Sequence, residues 1–491
     1  MKLMLKYIST LCPVLIGTIL FGQSNYMDES HLKYSTKSDS QYIQIDYVQI
    51  NNYLAHTMSP DEIGSSVRRG TAWISASKFL KSDTLTTSAG KKYYSQVEYC
   101  EEYLYAIPYG KEQIENITRL ELQNYLIATL SYSPLPMLQH FVDKGDYAMA
   151  HDTIHSISFT KTIGEYIVTV TINKANFEIE QISTLIATEE DDQFYGFGDV
   201  LDNYFYSENV TLDNVKIVPS LIIKDELNGK LSDTVIIESV GNGEVPKELI
   251  QPSPDFQITN DTIVEADITI EKYSDNIYFI NLHHCGTRSL AVEFEDYFLV
   301  AEAPLNSRYG DQIIEEVSKI NPEKPIKYFV FGHFHPHYTG GIRPFIHKSA
   351  LILCLDQNQD YINSIAEAKH TIHPDSLALD PKEVAFESIF QAKTISDGSY
   401  YMTIYHIGKK SNHTNDYLIY YFPKEKLVFQ DDLVWIDETT TKENISPLTT
   451  GFYQAVKDLN LDVTQVAQNW SVFNKSEKMI FDFSAIEKLC R

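Results

Sequence analysis

Ile326-Lys327-Tyr328-Phe329-Val330-Phe331 is an apolar, β-prone run that breaks into Gly332-His333-Phe334-His335-Pro336-His337-Tyr338-Thr339-Gly340-Gly341. The run reads as a buried strand, and three imidazoles alternate just beyond its end. A strand that ends in a His-x-His loop is a common way to present ring nitrogens to a metal ion. The glycine pair closing the loop is expected to let the chain turn tightly into a following helix.

Eight of the chain's 15 histidines fall between His333 and His413. His413, in Ser411-Asn412-His413-Thr414, lies between the expected strands Tyr401 to Ile407 and Tyr417 to Phe422. Another strand, Leu427-Val428-Phe429, ends in Gln430-Asp431-Asp432-Leu433. Each candidate ligand therefore stands just past a strand end, where α/β proteins build their sites. His31, His56, His140, His151 and His155 are scattered and read as ordinary surface or core residues. His283, His284, His347, His370, His373 and His406 read as non-ligands, and Asp375 as a loop anchor.

The 491 residues are enough for two domains. A formal net charge of −27 argues against nucleic acid and anionic membrane surfaces as partners. Residues 1–23 read as a signal peptide: Lys2 and Lys6 precede the apolar run Ile8 to Phe21, which is short for a bilayer span. The expected location is thus periplasmic or extracellular. Export permits disulfides among Cys100, Cys285, Cys354 and Cys490, but their spacing sets no pairing.

Residues 24–265 read as a mostly antiparallel β domain with a helical hairpin. Helical spacing covers Ile114 to Leu130 and Met137 to Val142, and period-two alternation runs from His155 to Ile186. Strands are expected at Val215 to Ile223 and Thr234 to Ser239, around an Asn228-Gly229 turn. This order resembles the curved half-barrel of bacterial lipoprotein carriers, which implies an envelope lipid or polypeptide as a partner. Prolines at 252 and 254 mark a boundary. From residue 268 strands and helices alternate, an α/β pattern.

The ordered set His333-x-His335-x-His337-Tyr338-x-Gly340-Gly341, His413-Thr414 and Asp432-Leu433 resembles the metallo-β-lactamase fold superfamily, specifically a secreted branch with an N-terminal β domain. The resemblance covers about 268–480 and implies an αββα sandwich over 268–491. It also implies a first metal site of His333, His335 and His413, with Asp432 as the bridging carboxylate. Asp431 competes for that place, but the Asp-Leu pair favours Asp432. The second site departs from the family pattern. Its aspartate is His337, its first histidine is Tyr338, and its last histidine falls at Trp470.

Two functions follow from the resemblance. The first is a hydrolase with one zinc ion acting on a small-molecule ester, amide or lactone. Asp432 would orient water, His337 would take the missing aspartate's role or become a fourth ligand, and Tyr338 would donate to an oxyanion. The second is a catalytically inactive binding or scaffold protein of the cell envelope.

Overall fold

The computed structural model describes residues 25–35, 42–53, 56–75, 78–87, 90–100, 104–107, 125–188, 198–212, 216–226, 230–244, 267–470 and 479–491. The expected signal segment and the Pro252–Pro254 boundary lie outside these residues. The chain divides into two units. The first comprises Met1–Tyr53, Gly64–Ile186 and Val200–Thr262; the second comprises Leu54–Ile63, Ala187–Asp199 and Ile263–Arg491.

The first unit is built on a 12-stranded sheet whose described pairings are antiparallel. Alternation sets its faces. In Tyr166–Asn173, Val168, Val170 and Ile172 are buried, while the residues between them face the other way. These side chains join a core with Leu135, Met137, Leu138 and Phe141 of the helix Leu135–Lys144. That helix ends at Gly145, whose φ of 60° is the left-handed cap glycine supplies cheaply. Of the expected helix from Ile114, residues 114–124 lie outside the described ones, and Tyr125–Thr129 is helical.

The single strand expected over Val215 to Ile223 is two. Lys216–Val218 pairs in a separate two-stranded sheet, and Leu221–Glu226 belongs to the large one. Pro219 between them has no N–H to give a ladder, so pairing stops there.

The second unit stacks two sheets. One runs in spatial order Ile268–Lys272, Ile277–Leu282, Thr287–Glu293, Phe298–Ala301, Ile326–Val330, Leu351–Cys354 and Phe386–Ser388, with the last four strands parallel. The other runs Ala392–Ser396, Tyr401–His406, Leu418–Phe422, Leu427–Gln430, Gln465–Gln468 and Ile480–Asp482.

Three apolar cores define the layers. Phe279, Leu290, Val292, Leu299 and Val330 of the first sheet meet Met402, Ile404, Tyr420, Phe429 and Ala467 of the second. Their strand neighbours point outwards. Ile280, Val300, Phe329 and Ile352 pack on the helices Ser307–Ile320, Arg343–His347 and Gln359–Ala366 through Ile313, Val317, Phe345 and Ile362. Ile419, Val428 and Val466 pack on Pro447–Asp458 and Phe483–Cys490 through Phe452, Val456 and Ile486. Strands covered on both faces must be apolar throughout, as Leu418–Phe422 and Leu427–Gln430 nearly are. The unit is thus an αββα sandwich, as expected for this part of the chain.

The glycine pair has a different cause from the expected one. Gly340 has an ordinary helical φ of −57°. A Cβ there would overlap the Leu305 carbonyl oxygen, and the Gly341 N–H donates to Ala303 O at 2.9 Å. Close backbone approach, rather than a sharp turn, requires a residue without a side chain at Gly340.

Candidate metal centre

His333 and His335 leave the strand Ile326–Val330 on a loop held by fixed polar contacts. The Gly332 N–H donates to Glu302 Oε2 at 3.1 Å, and its carbonyl accepts from the Leu418 N–H at 2.6 Å. The Phe334 N–H donates to Asp416 Oδ2 at 2.9 Å, an oxygen that also accepts from Asn358 Nδ2 at 2.7 Å. His413 is turned in by Asn412, whose φ of 56° reverses the chain after Gly408–Ser411, and its N–H donates to Ser411 Oγ at 3.1 Å. The three rings converge, with centroids 4.5 Å apart for His333 and His335, 4.8 Å for His333 and His413, and 4.9 Å for His335 and His413.

The outward nitrogens are already engaged. His333 Nδ1 lies 2.7 Å from Asp431 Oδ2, and His335 Nε2 lies 3.1 Å from the Thr57 carbonyl oxygen. Both partners accept, which assigns the ring protons to those two nitrogens. His333 Nε2 and His335 Nδ1 then face each other through lone pairs at 3.0 Å. Two lone pairs at that distance repel unless a cation stands between them. His413 Nε2 is buried without a hydrogen bond, and its neighbour is Asp432 Oδ2 at 3.3 Å. One nitrogen from each of the three rings lies within 4.8 Å of the others. This donor set fits a zinc ion, and the carboxylate and carbonyl behind two of the rings are the usual outer partners of metal-bound histidines.

Electrostatics keep most rings neutral. Burial and neighbouring imidazoles hold His333 and His335 well below the ordinary histidine value. Burial, with His56, lowers His337 to about 4. Burial also acts to lower His413, but the Asp432 carboxylate outweighs it and raises that ring. Burial would raise Asp432, yet His413, His333 and His335 hold it far below the usual carboxylate range.

Asp432 and Asp431 take different places. Asp432 faces the rings, bonded to the Tyr417 hydroxyl at 3.0 Å. Asp431 stands behind His333 in a buried pocket with Glu302, which burial pushes up to about 8. Burial, followed by the Glu302 charge, raises Asp431 as well. Tyr338 packs on His333 with centroids 4.4 Å apart; burial, then Asp432, raises its hydroxyl well above the ordinary value. His337 is met edge-on by Trp470, centroids 5.4 Å apart.

Sequence reasoning did not reach His56, Glu302 or Tyr417. His56 stacks on His335 with centroids 4.2 Å apart and lies edge-on to His337 at 5.1 Å. Tyr417 stacks on His333 at 4.8 Å. A carboxylate directly after the apolar strand Phe298–Ala301 was the available cue for Glu302. Asp375 caps the helix Ser376–Leu379 and grips Arg343 Nε at 2.7 Å and Nη2 at 2.9 Å. His283, His347 and His406 lie against Thr269, Asp380 and the Asn415 carbonyl. Among the described residues, Cys354 and Cys490 are free thiols.

No protein-family model and no curated protein matches this sequence. Solved structures similar to it include a metallo-beta-lactamase from Pontibacter korlensis, at 14% identity over 46% of this chain and 97% of that one, with a TM-score of 0.33. The metallo-beta-lactamase FIM-1 from Pseudomonas aeruginosa, in its mono-zinc form, is similar at 16% identity over 45% of this chain and 93% of that one, TM-score 0.32. A rubredoxin oxygen:oxidoreductase from Desulfovibrio gigas is similar at 15% identity over 45% and 61% of the two chains, TM-score 0.32.

Proposed function

We propose that this chain is an exported metal-dependent hydrolase with one zinc ion held by His333, His335 and His413, acting on a small carbonyl ester, amide or lactone. The observation that carries the reading is the pair of lone-pair nitrogens facing each other at 3.0 Å, each ring tied from behind. Zinc bound there supplies Lewis acidity, which acidifies water and polarises a carbonyl. Asp432 is ionised and faces the rings, so it orients the attacking water and accepts its proton. His337 is neutral at pH 7 and is a second acceptor. Tyr338 stays protonated and donates a hydrogen bond to developing negative charge.

A second reading, an inactive envelope-binding or scaffold protein, is favoured by Trp470 standing against His337 where the resemblance expects a histidine. One experiment separates the two. Purified protein is assayed for metal content and for hydrolysis of ester, lactone and lactam probes before and after chelation. Turnover that chelation abolishes and zinc restores, and that His333→Ala and His413→Ala each lack, supports the hydrolase. Metal-free protein that is inert on every probe sinks it.

A further inference from the structure

Asp432 and His413 are reachable by solvent, with side chains 17% and 19% exposed, whereas His333 and Asp431 are sealed. A small molecule entering the centre therefore meets Asp432, and which of its two oxygens it meets depends on how that carboxylate is held. Asp432 stands two residues past the strand Leu427–Gln430, beyond the end of its ladder. Its backbone N–H has no strand partner there, and a buried N–H needs one. Tyr417 supplies it. The Asp432 N–H donates to the Tyr417 hydroxyl at 3.0 Å, and that hydroxyl donates its own proton to Asp432 Oδ1 at 3.0 Å. Main chain and side chain of one residue are thus clamped by a single oxygen. With Oδ1 taken, Oδ2 is the oxygen beside His413 Nε2, 3.3 Å away.

The hydroxyl is itself fixed. Tyr417 is wholly buried, and its ring stacks on His333 with 18° between the planes and centroids 4.8 Å apart. Its carbonyl accepts from the Ile407 and Gly408 N–H groups at 2.9 Å and 3.1 Å. Gln430 Oε1 lies 3.3 Å from the hydroxyl and accepts from the Leu433 N–H at 2.6 Å, which closes the loop that carries Asp432. Gln430 is tied in turn through Nε2 to Gln468 Oε1 at 3.0 Å, and both glutamines are fully buried. A buried polar chain whose members are paired is rigid.

We propose that Tyr417 is a positioning residue of the metal centre: its hydroxyl pins Asp432 so that Oδ2 is the oxygen presented beside His413 to an incoming water. The ring and the hydroxyl have separate tasks. The ring backs a ligand imidazole, and the hydroxyl selects the carboxylate oxygen. A water-orienting group needs one oxygen held in place, because a small misplacement of a reacting partner is costly. The chemical consequence rests on the hydrolase reading; the clamp does not.

Tyr417→Phe keeps the ring and removes only the hydroxyl. The test is crystal structures of the full chain, wild type and Tyr417→Phe, both metal-free, together with visible spectra of both after loading with cobalt(II). In the variant, Asp432 Oδ2 is expected to leave its place beside His413 by about 1 Å or more, while His333 stays. One cobalt ion per chain is expected to remain, with its bands shifted. A carboxylate that stays in place, or cobalt bands that superimpose on those of the wild type, overturns the positioning role and reduces the hydroxyl to a structural contact. If the variant melts early, hydrogen exchange on the wild type decides. The clamp requires a protected Asp432 amide, and one that exchanges as fast as an open loop overturns it. A wild type that takes up no cobalt overturns the metal-centre reading instead, and the metal-free crystals still report on the clamp.

Discussion

Asp431 Oδ2 stands 2.7 Å from His333 Nδ1, with both side chains completely buried. This contact fixes which nitrogen of His333 carries the proton, and so which one faces the site. A metal-ligating histidine needs that assignment, because only the deprotonated nitrogen has a lone pair to give.

Asp431→Asn is therefore expected to weaken zinc binding by about 10–100-fold, the usual cost of losing an outer-sphere carboxylate. The measure is competition against a chromophoric chelator at pH 7. An affinity within two-fold of wild type would show that Asp431 does not set the ring's orientation.

Gly332 makes room for the same contact. A Cβ at this position would overlap Asp431 Oδ2 and lie 2.6 Å from Oδ1. The carboxylate cannot swing aside without abandoning His333, and the alternative is to shift the strand end. Gly332→Ala should cost about 1–3 kcal/mol in urea unfolding, as overpacking does, and weaken zinc binding as Asp431→Asn does. Because both changes break one contact, the double variant should bind zinc only slightly worse than either alone. Full additivity would separate the two residues.

The strands, and the loops bearing His333, His335, His413 and Asp432, were legible because their signals are local. Strand ends can be counted from apolar runs, and each of these side chains follows one directly. His56 was not legible, because nothing near it in sequence marks it; its meaning comes from a contact spanning 278 residues, between Thr57 O and His335 Nε2. The division of labour between Asp431 and Asp432 was hidden for another reason. Adjacent residues just past a strand end point in different directions, and which one meets the rings depends on backbone geometry that a doublet does not encode. Likewise the Gly340-Gly341 pair suggested a turn, whereas the passing backbone of Leu305 imposes it.

Arg343 is buried at 2% exposure under the helical layer. Asp375 grips its guanidinium, and the carbonyls of Ile365 and Ala366 accept from Nη1 at 2.9 Å and 2.6 Å. Burial would raise Asp375, but Arg343 holds it far below the usual carboxylate range. Asp375→Ala strands a buried cation and should cost about 3–5 kcal/mol. Arg343→Met with Asp375→Ala should recover much of that loss, since neither charge is then left alone. The check is a set of urea melts on the two single variants and the double; a double variant as unstable as the sum of the singles would refute the pairing.

Glu302 gives the metal-free chain a pH dependence with a definite sign. Its carboxyl is buried, accepts from the Tyr420 hydroxyl at 2.6 Å, and titrates near 8 instead of 4.5. The folded state thus binds a proton more tightly than the unfolded state. The associated stability is complete below about pH 4.5 and is lost as pH rises through about 8, because the unfolded chain then ionises freely while the folded one pays to ionise in a buried site. Other groups titrate in the same window, so the informative quantity is a difference. Glu302→Gln keeps an acceptor for Tyr420 but cannot ionise. With chelator present, its stability relative to wild type should improve steadily between pH 5 and pH 8.5, by an amount on the order of a few kcal/mol. Urea midpoints measured for both proteins at half-unit steps decide it. A difference that stays flat across that range would mean that Glu302 is already ionised in the folded chain.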